Sequence, residues 1–185
     1  MSSLEHKNII KLYYAFENSD YYFIVMELMK GGTLKEFILE RYQNEKNNFF
    51  MKDSECSEIM KGLLNGVDYL HSEDIVHRDL KPDNVMFAKA DDLTSIRIGD
   101  FGISKQHEYR SNEYCGTYIY MSPEIIKRKP YTNKIDDWAL GIILYIMGSG
   151  GEHPIFRNNM TRTEYEEKII QLERTGWHFN EHFPM

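Results

Sequence analysis

The run His77–Phe87, HRDLKPDNVMF, packs a histidine, an arginine, two aspartates, a lysine and an asparagine into a few positions. Side chains of these types can pass a proton, hold an oxygen-seeking cation and balance an anion. Pro82 rules out a helix through the polar part, and Val85-Met86-Phe87 predicts a short buried strand. The polar residues are therefore expected on a loop tied down at a strand, where catalytic side chains tend to collect. Taken singly, an aspartate or asparagine in a loop is ordinarily a turn former or a helix cap. Capping, however, does not require several such residues in one order and spacing.

The flanking sequence predicts what positions this loop. Ile9–Phe16 and Tyr21–Leu28 read as strands, and Asn18-Ser19-Asp20 between them favours an antiparallel hairpin. Gly31-Gly32 breaks the second strand, and Thr33 can cap a helix whose Leu34, Phe37, Ile38 and Tyr42 share a face. Gln43–Asn48 reads as an exposed loop, followed by a second helix with Ile59, Leu63, Val67 and Leu70 in register. Beyond the loop come the strand, a polar turn over Lys89–Ser95 and a further strand in SIRIGDF. Gly102–Met121 has no clean period and reads as a long functional loop. Asp136–Gly148 predicts a buried helix, apolar nearly all round and ended by GSGG, and Thr161–Leu172 one more amphipathic helix. Strands before residue 33 and mainly helices after it make the class α+β, with no linker and no internal repeat.

The 185 residues suffice for one domain with a real core. The composition, 42% apolar and 28% charged, excludes a disordered or collagen-like chain. The 22 basic residues are scattered and the net charge is −7, so neither nucleic acid nor an anionic membrane is an expected partner. The longest apolar run, Trp138–Met147, is far short of a membrane span, and MSSLEHKN carries no secretory pattern. Cys56 and Cys115 are too few for a disulfide framework or a zinc cage; free thiols in a cytoplasmic or nuclear setting are expected.

Residues 77–84 resemble the catalytic-loop signature of eukaryotic protein kinases, and Asp100-Phe101-Gly102 resembles that family's metal-binding tripeptide. Ser122-Pro123-Glu124 stands where the family usually has APE, and the intervals between the three also fit. The resemblance covers nearly the whole chain and is closest to the calcium/calmodulin-dependent and related serine/threonine groups. It implies a mainly helical large lobe (29–185, lacking its final helices) joined to the last strands and hinge of a small lobe (1–28).

It also implies ATP and Mg2+, with a protein serine or threonine as acceptor. Phosphoryl transfer needs positioning and charge neutralisation more than covalent chemistry. Asn84 and Asp100 would supply oxygen ligands to magnesium, Asp79 would accept or orient the proton of the attacking hydroxyl, and Lys81 would face the transferred phosphate. Thr117 is expected near Asp79 and Lys81. By the same resemblance the backbone of Glu27 and Met29 would meet adenine, with Met26 behind and Leu34 and Met86 walling the base. His77, Phe101 and Leu12 resemble a stacked apolar spine. Asp136 resembles a buried aspartate that holds the catalytic-loop backbone, or else caps its helix. Arg78 pairs in many relatives with a phosphorylated residue eleven positions before the APE glutamate, which here is Glu113. Glu113 is thus expected to supply a built-in charge to Arg78, or else to be a solvated surface glutamate. Ser111, Tyr109 and Tyr114 are candidate phosphorylation sites.

The resemblance has gaps. No G-x-G-x-x-G follows a strand, no VAIK is present, and LEHKNII resembles the segment just after the family's regulatory helix, with Lys7 in place of the usual proline. HFNEHFPM resembles the region after the seventh helix, so Glu124 is expected to lack its usual arginine partner, and apolar faces of Ile142, Ile143 and Tyr145 are expected to be exposed. Two functions follow: a serine/threonine kinase, or a catalytically inactive, pseudokinase-like binding module that docks a partner or a helper lobe. No EF-hand loop is present, and no regulatory partner can be read from the residues.

Overall fold

The computed structural model describes residues 4–44, 51–102, 104–106, 111 and 113–176. The chain opens with an antiparallel hairpin of β1 (Leu12–Glu17) and β2 (Tyr22–Met26), in which Phe16 faces Phe23. The Asn18 side chain holds the turn by accepting from the amides of Asp20 and Tyr21. Ile9 and Ile10, expected within the first strand, instead lie buried alongside Ile98. The Ile10 amide donates to the Ile98 carbonyl at 2.9 Å, and the Ile98 amide to the Asn8 carbonyl at 2.8 Å. This clamp takes the backbone that a longer β1 would have needed.

After β2 the chain crosses to β4 (Val85–Phe87), where Phe87 exchanges backbone hydrogen bonds with Gly31 and Gly32. Thr33 and Glu36 then cap each other across the first turn of α1 (Leu34–Asn44). Leu34 and Ile38 are buried, and Phe37 packs on Phe87 with ring centroids 5.4 Å apart. Tyr42 is exposed, so it does not share the buried face. Gln43 and Asn44 continue the helix rather than opening a loop, while the rest of the expected 43–48 loop lies outside the described residues.

α2 (Asp53–Ser72) buries the stripe Ile59, Leu63, Val67 and Leu70 as its period predicts. It lies against β5 (Ile96–Ile98), which pairs antiparallel with β4, and against α4 (Lys134–Gly148). Glycine on α2 is what allows the close approach. A Cβ at Gly62 would overlap Ile96 Cγ2, and one at Gly66 would sit 2.9 Å from Ile98 Cδ1. A second short ladder joins β3 (Ile75–Val76) to β6 (Lys105–Gln106) inside the segment read as a loop. At two residues each, these strands carry no legible alternation.

Among the described residues, two apolar clusters form the interior. The first gathers Leu34, Leu63, Val85, Ile98, Ile143 and Met147 with their neighbours from α1, α2, β4, β5 and α4. The second gathers Ile125 of α3 (Pro123–Ile126), Tyr131, Ile135, and Tyr165 and Ile169 of α5 (Arg162–Thr175). Trp138 packs against both. Thr161 and Glu164 cap α5 reciprocally, as Thr33 and Glu36 cap α1.

Ten of the fifteen residues of α4 are buried, and Ile142, Ile143 and Tyr145 are among them. The expectation that these three face solvent is corrected: α4 is the spine about which both clusters pack. Most of the exposed large apolar side chains among the described residues lie instead on the hairpin, Tyr14, Phe16, Tyr22, Ile24 and Met26 among them. α4 ends at Ser149, and Gly150 and Gly151 follow at φ 74° and 89°, so GSGG terminates a helix. Among the described residues, no helix is long and apolar enough to cross a membrane.

Alanine at Gly62 tests the helix–sheet contact, because propensity and packing there have opposite signs. Ile96 is 1% exposed and has nowhere to go, so Gly62→Ala should lower stability by about 1–3 kcal/mol despite alanine's better helix propensity. Gly141, in the same kind of helix interior but with open space around its Cβ direction, should gain about 0.5–1 kcal/mol on the same substitution. Urea denaturation of the two variants gives both signs.

Candidate active site

The polar loop between β3 and β4 is held from beneath by one carboxylate. Asp136, 1% exposed on the first turns of α4, accepts from the His77 amide through Oδ2 and from the Arg78 amide through Oδ1, each at 2.9 Å. His71 of α2 donates from Nε2 to Oδ2 at 2.9 Å, completing the set. α4 begins two residues earlier than its apolar pattern indicates, so Asp136 lies inside the helix and does not cap it. His71 was not legible as part of this site, because nothing local marks a histidine near the end of α2 as a partner for a residue 65 positions away.

With its amide engaged, Arg78 adopts φ 71°, a left-handed conformation that costs a non-glycine residue. The neighbouring His77 is wholly buried: its Nε2–H donates to the Gly99 carbonyl at 2.9 Å, its Nδ1 accepts from the Asp79 amide at 3.3 Å, and its ring lies 5.2 Å from that of Phe101. One histidine thus joins the loop to the start of the next segment.

Four of the residues selected from sequence meet within hydrogen-bonding distance. Asp79 Oδ1 accepts from the Thr117 amide at 2.8 Å and the Thr117 hydroxyl at 2.7 Å. Its Oδ2 accepts from Lys81 Nζ at 2.7 Å and, at 3.2 Å, from Asn84 Nδ2. Lys81 Nζ also reaches Thr117 Oγ1 at 2.8 Å, and Asn84 Nδ2 the Asp79 carbonyl at 2.8 Å. Burial pushes the Asp79 carboxyl up, but the bonds from Lys81 and Thr117 outweigh it and hold the group below the ordinary aspartate value. Asp79 is therefore an anion at neutral pH, already oriented by its neighbours.

Pro82–Asn84 forms a single 3-10 turn, which delivers Asn84 to the head of β4. The Asn84 amide nitrogen is committed to Asp79, leaving Oδ1 as its oxygen donor. The Gly99 amide donates to the Asn84 carbonyl at 2.9 Å, so Asp100 follows directly on a residue bonded to Asn84. Asp100 is exposed, takes φ 56° and accepts from the Gly102 amide at 3.3 Å.

Thr117 reaches Asp79 because the long segment before it is tied at several points. Gly116, at φ 99°, passes so close to the loop that a Cβ would lie 2.6 Å from the Arg78 carbonyl oxygen. Ser111 pairs with Tyr131 through reciprocal backbone bonds, and Arg78 Nη1 meets Glu113 Oε2 at 2.5 Å. The Arg78 side chain is 8% exposed and that of Glu113 50%, so Glu113 is a partner for a buried guanidinium and not merely a solvated glutamate. The Tyr114 hydroxyl donates to Glu166 of α5 at 2.5 Å, and the guanidinium groups of Arg128 and Arg162 lie over its ring, 4.9 and 4.6 Å from the centroid. Of the three candidate phosphorylation sites, Ser111 is buried, Tyr114 has its hydroxyl engaged, and Tyr109 lies outside the described residues.

The segment expected to meet a purine base lies beyond β2. Glu27 and Met29 are half-buried, with the Glu27 amide bonded to the Lys11 carbonyl at 2.8 Å and its carboxylate 3.4 Å from Arg97 Nε. Met86 is half-buried and pairs with Thr33. Leu34 is corrected as a wall residue: at 0% exposure it belongs to the first core and offers no surface to a ligand. Being the first residue of α1, it turns inward with Ile38. Cys56 and Cys115 are both free thiols.

A further histidine shapes the far side of the site. His153 donates from Nε2 to the Ile119 carbonyl at 2.8 Å and accepts at Nδ1 from the amides of Ile155 and Phe156. Burial, opposed by the Ile119 bond, lowers it to about 4, and so it is neutral.

The family described as "Protein kinase domain" matches residues 1–184. The chain is 39% identical over 176 residues to a probable myosin light chain kinase from Dictyostelium discoideum, covering 94% of this chain and 42% of that protein. It is 36% identical over 148 residues to calcium/calmodulin-dependent protein kinase type 1 from Macrobrachium nipponense, covering 80% of this chain and 41% of that protein. It is 41% identical over 151 residues to a serine/threonine-protein kinase H1 homolog from Danio rerio, covering 80% of this chain and 34% of that protein. The chain thus spans well under half the length of these relatives.

A pH titration tests the state of His153. Because folding lowers its pKa from 6.5 to about 4, the unfolded chain binds the extra proton, and stability should fall as pH drops from about 6.5 toward 4. The loss is at most about 3 kcal/mol. In His153→Gln this part of the acid destabilisation should be absent, as measured by urea denaturation at each pH.

Proposed function

Since the chain belongs to the protein kinase family, we propose that it carries the catalytic loop of a serine/threonine kinase that transfers the γ-phosphoryl group of ATP to a protein hydroxyl. The observation that carries this reading is the simultaneous bonding of Asp79 to Lys81, Thr117 and Asn84. An ionised carboxylate that already accepts four hydrogen bonds is oriented before substrate arrives. An incoming serine or threonine hydroxyl has only to take the place of the longest, the 3.2 Å bond from Asn84. Asp79 then accepts that hydroxyl's hydrogen bond and, as the oxygen attacks, its proton.

Lys81, freed in part from Asp79 as the proton moves, keeps its ammonium beside Thr117 and offers a point charge to the moving phosphoryl oxygens. Asn84 Oδ1 and the Asp100 carboxylate are the oxygen donors that fit magnesium, a hard cation that keeps waters and phosphates as its other ligands. When bound, the ion would neutralise phosphate charge. Backbone groups of Glu27 and Met29, with Met86 alongside, are the residues we assign to the adenine ring, and Leu34 supports them from the core. In this reading residues 1–28 belong to a small lobe and 29–185 to a large lobe. The setting is cytoplasmic or nuclear, where ATP is abundant and both thiols stay reduced.

Phosphate transfer to a serine-containing protein substrate by the full protein should fall about 100-fold or more in Asp79→Asn, the size expected for losing a positioned base. Heat stability of the same variant should still rise with magnesium and ATP. If neither wild type nor variant is stabilised by nucleotide, the kinase reading fails in favour of a binding module. Glu113→Gln should lower turnover several-fold by removing a carboxylate that helps to hold the buried Arg78 guanidinium; unchanged turnover would assign the pair a purely structural part.

A further inference from the structure

Thr117 supplies two of the four hydrogen bonds that Asp79 accepts, so whatever holds Thr117 holds the carboxylate. Thr117 lies in neither helix nor strand, at the entry to the 3-10 turn Tyr118–Tyr120, and its place is set by ties from outside. Two such ties involve adjacent residues of α5. Ahead of Thr117, the Tyr114 hydroxyl donates to Glu166 Oε1 at 2.5 Å. Behind it, the Tyr165 hydroxyl donates to the Ile119 carbonyl at 2.6 Å. Both anchors are firm. Tyr165 is 0% exposed and belongs to the second core. Glu166 also accepts from Arg162 Nε at 2.8 Å, and the bonds from Tyr114 and Arg162 hold its carboxyl below the ordinary glutamate value. It is therefore an anion, and the bond from Tyr114 is charge-assisted.

We propose that Tyr114 and Tyr165 are positioning residues for phosphoryl transfer: their hydroxyl bonds fasten the chain on either side of Thr117 to α5, and so set the Thr117 amide and hydroxyl against Asp79. The inference rests on the kinase reading of the Asp79 cluster and adds to it the element that keeps the cluster in register. Both tyrosines act through the backbone of 114–119 and not on the reacting atoms. Glu113 and Cys115 also tie this stretch, but to Arg78 of the polar loop itself and to Tyr131. α5 differs in being a packed helix far from that loop along the chain, so it supplies a reference outside the site. A shift of Thr117 by about 1 Å would carry its 2.7 and 2.8 Å contacts beyond hydrogen-bonding distance, and Asp79 would lose two donors at once. Phenylalanine at either position keeps the ring and, at position 114, the contacts with Arg128 and Arg162. Such variants isolate the hydrogen bond. The Ile119 carbonyl retains a second donor in His153 Nε2, so the loss of the Tyr165 hydroxyl is the milder of the two.

The test uses the full protein as wild type, Tyr114→Phe, Tyr165→Phe, the double variant and Glu166→Gln. Transfer from ATP to a serine-containing peptide gives kcat and KM. Hydrogen exchange read by mass spectrometry follows residues 113–121, with α2 and α4 as internal references. Tyr114→Phe should lower kcat roughly two- to ten-fold, the range carried by one net hydrogen bond, and leave the KM for ATP unchanged. It should also speed exchange in 113–121 and in neither reference helix. Tyr165→Phe should do the same to a smaller extent. Because both bonds restrain one residue, the double variant should fall short of the product of the single effects. Glu166→Gln, whose amide oxygen can still accept from Tyr114, should keep more activity than Tyr114→Phe. With an active wild type, an unchanged kcat in Tyr114→Phe overturns the proposal. Exchange in 113–121 that stays unchanged, or that rises equally in α2 and α4, overturns it in any case, since the hydroxyl then acts on nothing local. If 113–121 alone exchanges faster while even wild type transfers no phosphate, the tie to α5 stands and the kinase reading is what fails.

Discussion

A single buried carboxylate, that of Asp136, carries three of the hydrogen bonds on which the site's geometry depends. Burying an anion is costly unless each lone pair it exposes is met by a donor, and here two successive amides of one loop and a ring nitrogen from another helix meet them. The cost of burial thus becomes a constraint: the His77–Arg78 backbone has to lie where the carboxylate can be satisfied. Because α4 is buried on nearly all sides, Asp136 is itself immobile, and the loop inherits that rigidity.

The consequence appears in the backbone. Arg78 and Asp100 both adopt left-handed conformations that side-chain-bearing residues avoid. Each stands where two segments must be brought together: Arg78 between the Asp136 bonds and Asp79, Asp100 between β5 and the segment that follows. The surrounding bonds over-determine these turns, and His77 spans them by bonding to Gly99. Catalytic-type side chains are placed here by a network of backbone bonds rather than by the regular elements alone.

The segment that supplies Thr117 is anchored differently. Its described residues contain little regular structure, and they are tied by backbone bonds to Tyr131 and by side-chain contacts to Arg78 and Glu166. These reach three separate parts of the fold, so the path of the segment reports on the packing of both cores at once. The hairpin of β1 and β2, by contrast, exposes aromatic and aliphatic residues along its length and contributes few of its side chains to either core. Its hold on the rest of the molecule runs through Ile9, Ile10 and the 30–33 segment.

Local sequence was enough to identify the long amphipathic helices, the hairpin turn at Asn18 and the strand after the polar loop, since each depends on periodicity or turn chemistry within a few residues. It was also enough to single out Asp79, Lys81 and Asn84, whose order and spacing are unusual for capping residues, while Thr117 was selected by the resemblance to the kinase family. Other features were settled only by tertiary structure. The shortened β1, the inward turn of Leu34, the burial of Ile142, Ile143 and Tyr145, and the two-residue β3–β6 ladder depend on which distant backbone or side chain competes for the same groups. The partnership of His71 with Asp136 and that of Lys35 with Asp83 belong to the same class. Pattern reports which face of an element is apolar; it does not report which charge lies across a gap of 48 or 65 residues, because that is decided by how the elements pack.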